Sequence, residues 1–281
     1  MRRGYGRLAA SDQRGEAPSP TGRNAGSPSS VSLVAAFLPP DLDQGAAVLV
    51  LAVSLIGSAL TAAFSAGGGL LLVAVMTAVM PITAVVPVHG VVMAGSNLAR
   101  FAILWRHVAW GTLTWFALGA LIGAAAGSQL VLTLPGTVLR LSIAGFILFT
   151  QWGPKVRMPD GRGAFVLAGG LSAVLTLFVG VSGPFVTAAL SKLPGWDRRR
   201  LIATAGGCVS LQHALKVLVF TLAGFAYAPW VPFTVGCIAA GVVGTVLGTR
   251  LLVRLDERVF RLVLRWLLTA LALYLAAETL F

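Results

Sequence analysis

The sequence has few charged residues, and the acidic ones are the scarcest. Charged residues make up 11% of the 281 positions, and Asp and Glu together number nine. All nine stand in the N-terminal segment, in connections between apolar runs or among the last few residues. Their absence from the long apolar runs disfavours a carboxylate proton relay, an intramembrane aspartyl protease and a carboxylate cation site.

Cysteine is also scarce, and its placement excludes two kinds of site. Cys208 and Cys237 each lie within an apolar segment and have no metal-ligand spacing, which predicts small core residues rather than a disulfide or a metal site. The H-E-x-x-H pattern of zinc proteases is missing as well. We therefore expect no metal and no cofactor.

Long apolar runs fill the chain from residue 44 onward. Hydrophobic residues make up 57% of the chain, and the mean hydropathy of +0.88 excludes an ordinary soluble domain. A helix needs roughly 20 residues to cross roughly 30 Å of hydrocarbon. The predicted helical segments are 46–64, 70–80, 83–104, 112–132, 138–152, 164–177, 185–191, 201–220, 228–247 and 259–281. These runs predict an all-α, polytopic integral membrane protein.

The formal charge of +12 does not point to nucleic acid. Most of the Lys and Arg residues outside the N-terminal segment fall in short connections between apolar runs. Connections that stay on the cytoplasmic side of a membrane are normally rich in Lys and Arg, which explains these charges. Residues 1–44 are rich in Gly, Ser, Pro and Arg, which predicts a disordered tail. The first apolar patch comes late and ends at Pro39 and Pro40, so we expect no cleaved signal peptide.

An internal repeat follows from sliding the chain along itself. The stretch "FSAGGG" at 64–69 matches "FVGVSG" at 178–183, and "LPGTVLRL" at 134–141 matches "LDERVFRL" at 255–262. The order of the matches is kept, so the chain is predicted to hold two copies of one unit. The predicted organisation is a tail at 1–44, a first transmembrane repeat at 45–152, a cytoplasmic connection at 153–163 and a second repeat at 164–281.

The charges in the connections predict that the two copies are inverted. The basic connection at 105–111 has an uncharged counterpart at 223–228, whereas the uncharged connection at 129–137 has a basic counterpart at 249–258. Every basic connection can lie in the cytoplasm only if the copies are inserted upside down relative to each other. Each copy then crosses the membrane an odd number of times, and its glycine-containing run goes in and comes back out.

Each copy contains a predicted break in a helix. Gly67, Gly68 and Gly69 give the backbone room to turn, and Ser182 and Gly183 take the equivalent place in the second copy. In an inverted pair these broken or re-entrant helices face each other near the midplane and direct positive N-terminal ends there, which attracts anions. Close helix packing is the alternative explanation for the glycines.

Two stripes of polar residues accompany the breaks. His89, Asn97 and Arg100 share one helix face with Met93, and Thr204, Gln212 and Lys216 share another with Cys208, which predicts a common cavity. A single Asn or Gln can equally be a bond between helices. Taken alone, Arg100 and Lys216 are expected to snorkel to the interface, and His213, off the stripe, is expected to pack. The predicted substrate-binding residues are Ser65, Gly67, Gly68, Gly69, His89, Asn97, Arg100, Ser182, Gly183, Thr204, Gln212 and Lys216, without catalytic residues or metal ligands.

The motifs "FSAGGGLLLVAVM", "RHVAWGTLTWFALGALIGAAAG" and "AAGVVGTVLGTRLLVRL" together resemble the sulfite exporter TauE/SafE family of membrane permeases, over about residues 46–281. The resemblance implies a permease that moves sulfite, sulfonates or other small organic anions across the bacterial cytoplasmic membrane. The implied partners are a small anion and the lipid bilayer. The chain departs from the family pattern at "GVSGP" in the second copy and at "HG" at 89–90.

Two other functions stay open at this point. "GVSG" at 180–183 matches the G-x-S-G of rhomboid-type intramembrane proteases, with Ser182 as nucleophile and His213 as base. A membrane scaffold without transport activity is the third possibility.

Overall fold

The computed structural model describes residues 38–39, 42–64, 67–131, 133–154, 161–190, 193, 195–251 and 256–280. The predicted tail therefore lies almost wholly outside the described residues. Within those ranges the chain forms helices and no strand, which confirms the all-α class. The helices are α1 (Gln44–Phe64), α2 (Gly68–Val79), α3 (Ile82–Leu104), α4 (Trp110–Val131), α5 (Gly136–Trp152), α6 (Arg162–Val179), α7 (Gly183–Leu190), α8 (Arg198–Leu222), α9 (Val231–Leu251) and α10 (Glu257–Leu280).

Six of these helices have the length and hydropathy needed to cross a bilayer: α1, α4, α6, α8, α9 and α10. The apolar helices α2 and the first part of α3, Ile82–Leu98, are shorter. The many exposed Leu, Val and Trp side chains on these helices fit a surface that faces lipid rather than water. The protein is therefore a polytopic membrane protein.

The order of the helices repeats once. A long helix, a short helix and three further helices make up α1 to α5, and the same order returns in α6 to α10. The strongest packing partners follow this correspondence, because α1 packs on α9 while α6 packs on α4, and α3 packs on α8. Helices α5 and α10 form the remaining large pair.

Small residues allow two of these pairs to pack closely. A methyl group on Gly119 would lie 1.8 Å from the carbonyl oxygen of Val166, and one on Gly244 would lie 2.0 Å from that of Leu55. Such distances leave no room for a side chain, and small residues at these positions allow the helix backbones to approach closely. One turn further along both helices, a methyl group on Gly123 would lie 2.3 Å from the carbonyl oxygen of Gly170. The residue numbers therefore rise together on α4 and α6, and the two helices run parallel.

Two pairs of corresponding helices, α3–α8 and α5–α10, run antiparallel. In the α3–α8 pair, Gly90 lies beside Lys216 while Phe101 lies beside Gly207. In the α5–α10 pair, Arg140 bonds Glu278 and Trp152 bonds Thr269. In both pairs the residue numbers rise on one helix as they fall on the other.

Candidate anion site between two helix breaks

The first break separates α1 from α2. Gly67 has a φ of 95°, a left-handed conformation that strains any residue with a side chain. The N–H of Gly68 donates to Thr61 Oγ1 over 3.2 Å, and a methyl group on Gly68 would lie 1.9 Å from the carbonyl oxygen of Gly57. The turn therefore brings α2 back against α1 and needs glycine at both positions. The predicted site residue Ser65 lies outside the described residues.

The second break separates α6 from α7. Gly180 ends α6 with a φ of 85°, and its N–H donates to the carbonyl of Thr176 over 3.0 Å. Helix α7 begins at Gly183, and Pro184 in its first turn fits there because those N–H groups have no partner within the helix. The broken helices predicted from the glycine motifs are thus confirmed in both halves.

The two breaks contact each other. A methyl group on Gly69 would lie 3.9 Å from Val181 Cγ1, and one on Gly180 would lie 3.1 Å from Val73 Cγ2. The start of α2 and the segment between α6 and α7 therefore lie within van der Waals reach of each other.

His89 and Lys216 link the two breaks by hydrogen bonds. His89 Nε2 lies 3.2 Å from the carbonyl oxygen of Gly69, and His89 Nδ1 lies 3.4 Å from Lys216 Nζ. Lys216 Nζ also donates to the carbonyl oxygen of Gly180 over 3.0 Å. A carbonyl only accepts, so the hydrogen bonds assign the proton of His89 to Nε2 and leave Nδ1 to accept from Lys216.

Lys216 is fully buried, at 0% exposure. The expectation that it snorkels to the interface is wrong, because α8 continues for six residues beyond it and α3 covers its side chain. A buried ammonium group costs several kcal/mol unless it is paired. Where the structure describes acidic side chains, all are exposed, so none of them neutralises Lys216; they are Asp43, Asp197, Asp256 and Glu278.

His213 belongs to the same cluster, although its place off the polar stripe had suggested packing. Its ring lies edge-on to His89, with 5.7 Å between the ring centroids, and it is 1% exposed. Neither ring nitrogen of His213 has a hydrogen-bond partner. The spacing of three residues between His213 and Lys216 puts them on one helix face. The predicted stripe on this helix used steps of four residues and therefore left His213 out.

Gln212 fills the space at the second break. Its side-chain carbonyl accepts from the hydroxyl of Ser182, and its amide group donates to Ser172. All three side chains are buried. Two predicted site residues, Ser182 and Gln212, are thus brought together, while Ser172 was not predicted.

Asn97 lines a pocket at the first break. Its amide donates to the carbonyl of Met93 on the same helix over 2.8 Å. The hydroxyl groups of Ser54, Ser58 and Thr61 line the same pocket, beside Gly68 and Gly69. The cavity of about 20 Å³ has room for about one water molecule. Entry of a larger ligand therefore requires movement of the lining, for example of the flexible Met93 side chain.

A family model for "Sulfite exporter TauE/SafE" matches residues 49–275, which is most of the chain. The protein belongs to the sulfite exporter TauE/SafE family. As a TauE/SafE protein it is a membrane transporter. No curated protein and no solved structure matches the chain.

Three further predicted site residues of this TauE/SafE protein have no described contact with the cluster, namely Thr204, Arg100 and Gly183. Thr204 is buried and accepts the backbone N–H of Ala109 over 2.9 Å. It precedes Lys216 by twelve residues, or about 18 Å along the helix, so it is not part of the cluster. Arg100 lies in α3, but its side chain is not among the described ones. Gly183 is half-buried, and a methyl group there would meet no atom within 4 Å.

Proposed function

We propose that this transporter carries a small anion, of the sulfite or sulfonate class, through the cluster between the two helix breaks. The observation that carries the proposal is Lys216, an ionisable basic side chain that is fully buried between Gly180 and His89. Buried ionisable residues in membrane proteins usually serve transport or binding. Since no described acidic side chain lies beside Lys216, an anionic substrate is the natural partner for its charge.

The breaks supply further favourable groups for an anion. The N-terminal ends of α2 and α7 carry N–H groups without helical partners, and the helix dipole makes those ends positive. The hydroxyl group of Ser58 beside the first break can donate to an oxygen atom of a sulfite or sulfonate group, whereas the hydroxyl groups of Ser54 and Thr61 donate to the carbonyl groups of Cys237 and Gly57. The family name specifies sulfite, and we extend it to this chain as part of the proposal.

Transport by alternating access requires a site that can open to either side. The antiparallel pairs α3–α8 and α5–α10 support the predicted inverted repeats. Inverted repeats are related by a two-fold axis that lies in the membrane plane, and this axis makes each helix of one half antiparallel to its counterpart in the other half. The cluster lies where the two halves meet. Rocking of one half against the other would then expose Lys216 to the two sides in turn.

The charges at the helix ends support one orientation. Arg106 and Arg200 line one pocket, and Arg162 stacks on Trp115 near the start of α4, so three basic residues lie at the same end of the helices. We propose that the protein lies in the inner membrane of a bacterium. By the positive-inside rule, this basic end of the helices faces the cytoplasm.

A serine protease is the second function to weigh. Ser182 donates its hydroxyl to Gln212, and neither nitrogen of His213 has a hydrogen-bond partner. A serine nucleophile needs a base within hydrogen-bond reach. This geometry supports a transporter without enzyme activity, and labelling of Ser182 by a fluorophosphonate would contradict that assignment.

Counterflow in proteoliposomes tests the proposal. Vesicles loaded with unlabelled methanesulfonate or sulfite should accumulate the radiolabelled anion from outside. Lys216→Gln should lower the apparent affinity strongly, whereas Arg199→Gln, a change at an exposed basic residue, should not. Absence of counterflow with both anions would contradict the proposed function.

A second experiment tests the orientation. Cys208 and Cys237 are fully buried, so an impermeant thiol reagent should not label the unmodified protein. Thr83 is exposed in the first turn of α3, and Gly195 is exposed in the connection before α8. We expect Thr83→Cys and Gly195→Cys to be labelled from opposite sides, and labelling of both from one side would contradict the inverted arrangement.

A further inference from the structure

The hydrogen bonds around Lys216 are complete without an anion. Lys216 Nζ has two acceptors, the carbonyl of Gly180 and Nδ1 of His89. A neutral amine has two N–H groups and can donate to both. An ammonium group has three, so protonation leaves one N–H without a described protein acceptor and adds a charge that the protein does not balance.

The cost of that charge depends on whether an anion is present. An isolated ion in a low-dielectric interior costs several kcal/mol, and a close counter-ion offsets much of this cost. A proton and an anion therefore favour each other at this site. By linkage, each raises the affinity of the other by the same factor.

We propose that the cluster of Lys216, His89 and His213 is a proton-binding site that couples transport to the proton gradient. The empty site carries no charge, and one proton binds to the cluster with each monovalent anion and leaves with it on the other side. This inference rests on the proposed function, since it needs an anion beside Lys216.

The surroundings of Lys216 contain few other groups that could take this proton. His89 faces it from α3 and His213 from α8 itself. The described residues of α2, α4 and α7, which also surround the cluster, include no Asp, Glu, Lys, Arg or His. Arg162 of α6 and Cys237 of α9 do not face Lys216, because Arg162 lies over Trp115 and Cys237 lies against Ser54.

His213 gives the proton a second position. It is buried beside His89, and its two free ring nitrogens can accept a proton or donate to an anion. A polar side chain without partners at this depth is costly, and a proton or an anion oxygen would satisfy it. Movement of the proton among the three side chains requires no other reactant.

The test uses the full-length protein in proteoliposomes with the voltage clamped by potassium and valinomycin, and with a pH-sensitive dye inside. Methanesulfonate is the probe, because it stays ionised throughout the working range and any proton that moves is carried by the protein. We expect one proton to enter with each anion. A gradient of one pH unit should drive about tenfold accumulation of the anion, the ratio that one-to-one coupling allows.

The variants separate coupling from transport. Lys216→Gln should abolish the proton movement and the accumulation driven by the pH gradient, while weak counterflow persists at high anion concentration. His213→Gln should reduce the coupling ratio and serves as the second variant should Lys216→Gln fail to fold. His107→Gln changes an exposed histidine and should behave as the unmodified protein does.

The outcomes also separate this inference from the proposed function. Counterflow of methanesulfonate without proton movement in the unmodified protein would overturn the coupling and leave the anion transporter intact. Full coupling in a folded Lys216→Gln variant would overturn the assignment to this cluster. No counterflow with methanesulfonate or sulfite would overturn the proposed function and the coupling together.

Discussion

The two helix breaks occupy equivalent places in the two halves, yet one is open and the other is filled. Asn97 and Gln212 lie 115 positions apart, as do Gly57 and Ser172. At the first break Asn97 bonds its own helix and a pocket is left. At the second break the longer Gln212 reaches Ser182 and Ser172 and closes the space. The additional methylene group of Gln212 and the hydroxymethyl group of Ser172, where the first half has Gly57, therefore fill the space at the second break.

This difference assigns separate tasks to the two breaks. The first has hydroxyl groups and a pocket that can enlarge, and the second holds its backbone by buried hydrogen bonds and presents the carbonyl of Gly180 to Lys216. We therefore expect loss of the buried side-chain hydrogen bonds at the second break to affect mainly folding, and a change at Asn97 that fills the first pocket to affect mainly the anion. Lys216 lies at the contact between them and should matter most.

Lys216→Gln is expected to give the largest effect. Lys216 is the only buried Lys or Arg side chain among the described residues. Its removal takes away the charged partner that the bound anion would have, which costs about 2 kcal/mol or more, or roughly 30-fold in affinity. The measurement is the half-saturating anion concentration in counterflow. Arg199→Gln is the matched control, and equal affinities for the two variants would show that the anion does not meet Lys216.

Gly68→Ala tests the close packing of the first break. The new methyl group would lie 1.9 Å from the carbonyl oxygen of Gly57, and neither backbone can yield easily. We expect a loss of about 2 kcal/mol, or a melting temperature lower by about 5 °C. Gly183→Ala is the equivalent change in the open space at the start of α7. A similar loss in both variants would contradict the difference in packing.

Gln212→Asn tests the filled state of the second break. The shorter side chain cannot reach both Ser182 and Ser172, so either the Ser182 hydroxyl or the new amide group loses its buried partner, at a cost of about 1–3 kcal/mol. Thermal unfolding measures this loss. The converse change, Asn97→Gln, should leave the stability nearly unchanged and reduce transport by filling the pocket. A reversal of these two results would contradict the assigned tasks.

Thr61→Val is expected to give the smallest effect. Thr61 accepts the N–H of Gly68 at the start of α2, and loss of such a cap costs about 1 kcal/mol. Its counterpart Thr176 bonds only within its own helix, to Ser172, so Thr176→Val should cost less. Comparison of the two melting temperatures checks the prediction, which fails if Thr176→Val is the more destabilising.

The sequence alone predicted the helices and the breaks because both depend on local composition. Apolar runs of membrane length indicated the helices, and glycine at 67–69 together with "GVSGP" at 180–184 indicated the turns. The predicted starts of α2 and α7 come two residues after the observed ones, since both helices begin with poor helix formers, Gly68-Gly69 and Gly183-Pro184. The inverted relation of the halves stays a prediction that the antiparallel pairs support.

The composition of the site was harder to predict because it depends on contacts between helices. The four-residue stripe found His89, Gln212 and Lys216, but it also included Thr204, which bonds Ala109 far along the same helix. It missed His213, whose position is set by the crossing of α3 and α8. Snorkelling was expected for Lys216 because its neighbours on α3 cannot be read from α8 alone.

The most direct test of the central claim is a structure of the protein with 2-bromoethanesulfonate, located by the anomalous scattering of bromine. We predict a signal between the two breaks, beside Lys216 and the first pocket, that disappears in Lys216→Gln. A signal found only at the basic end, beside Arg106 and Arg200, or a signal between the breaks that persists in Lys216→Gln, would contradict the account.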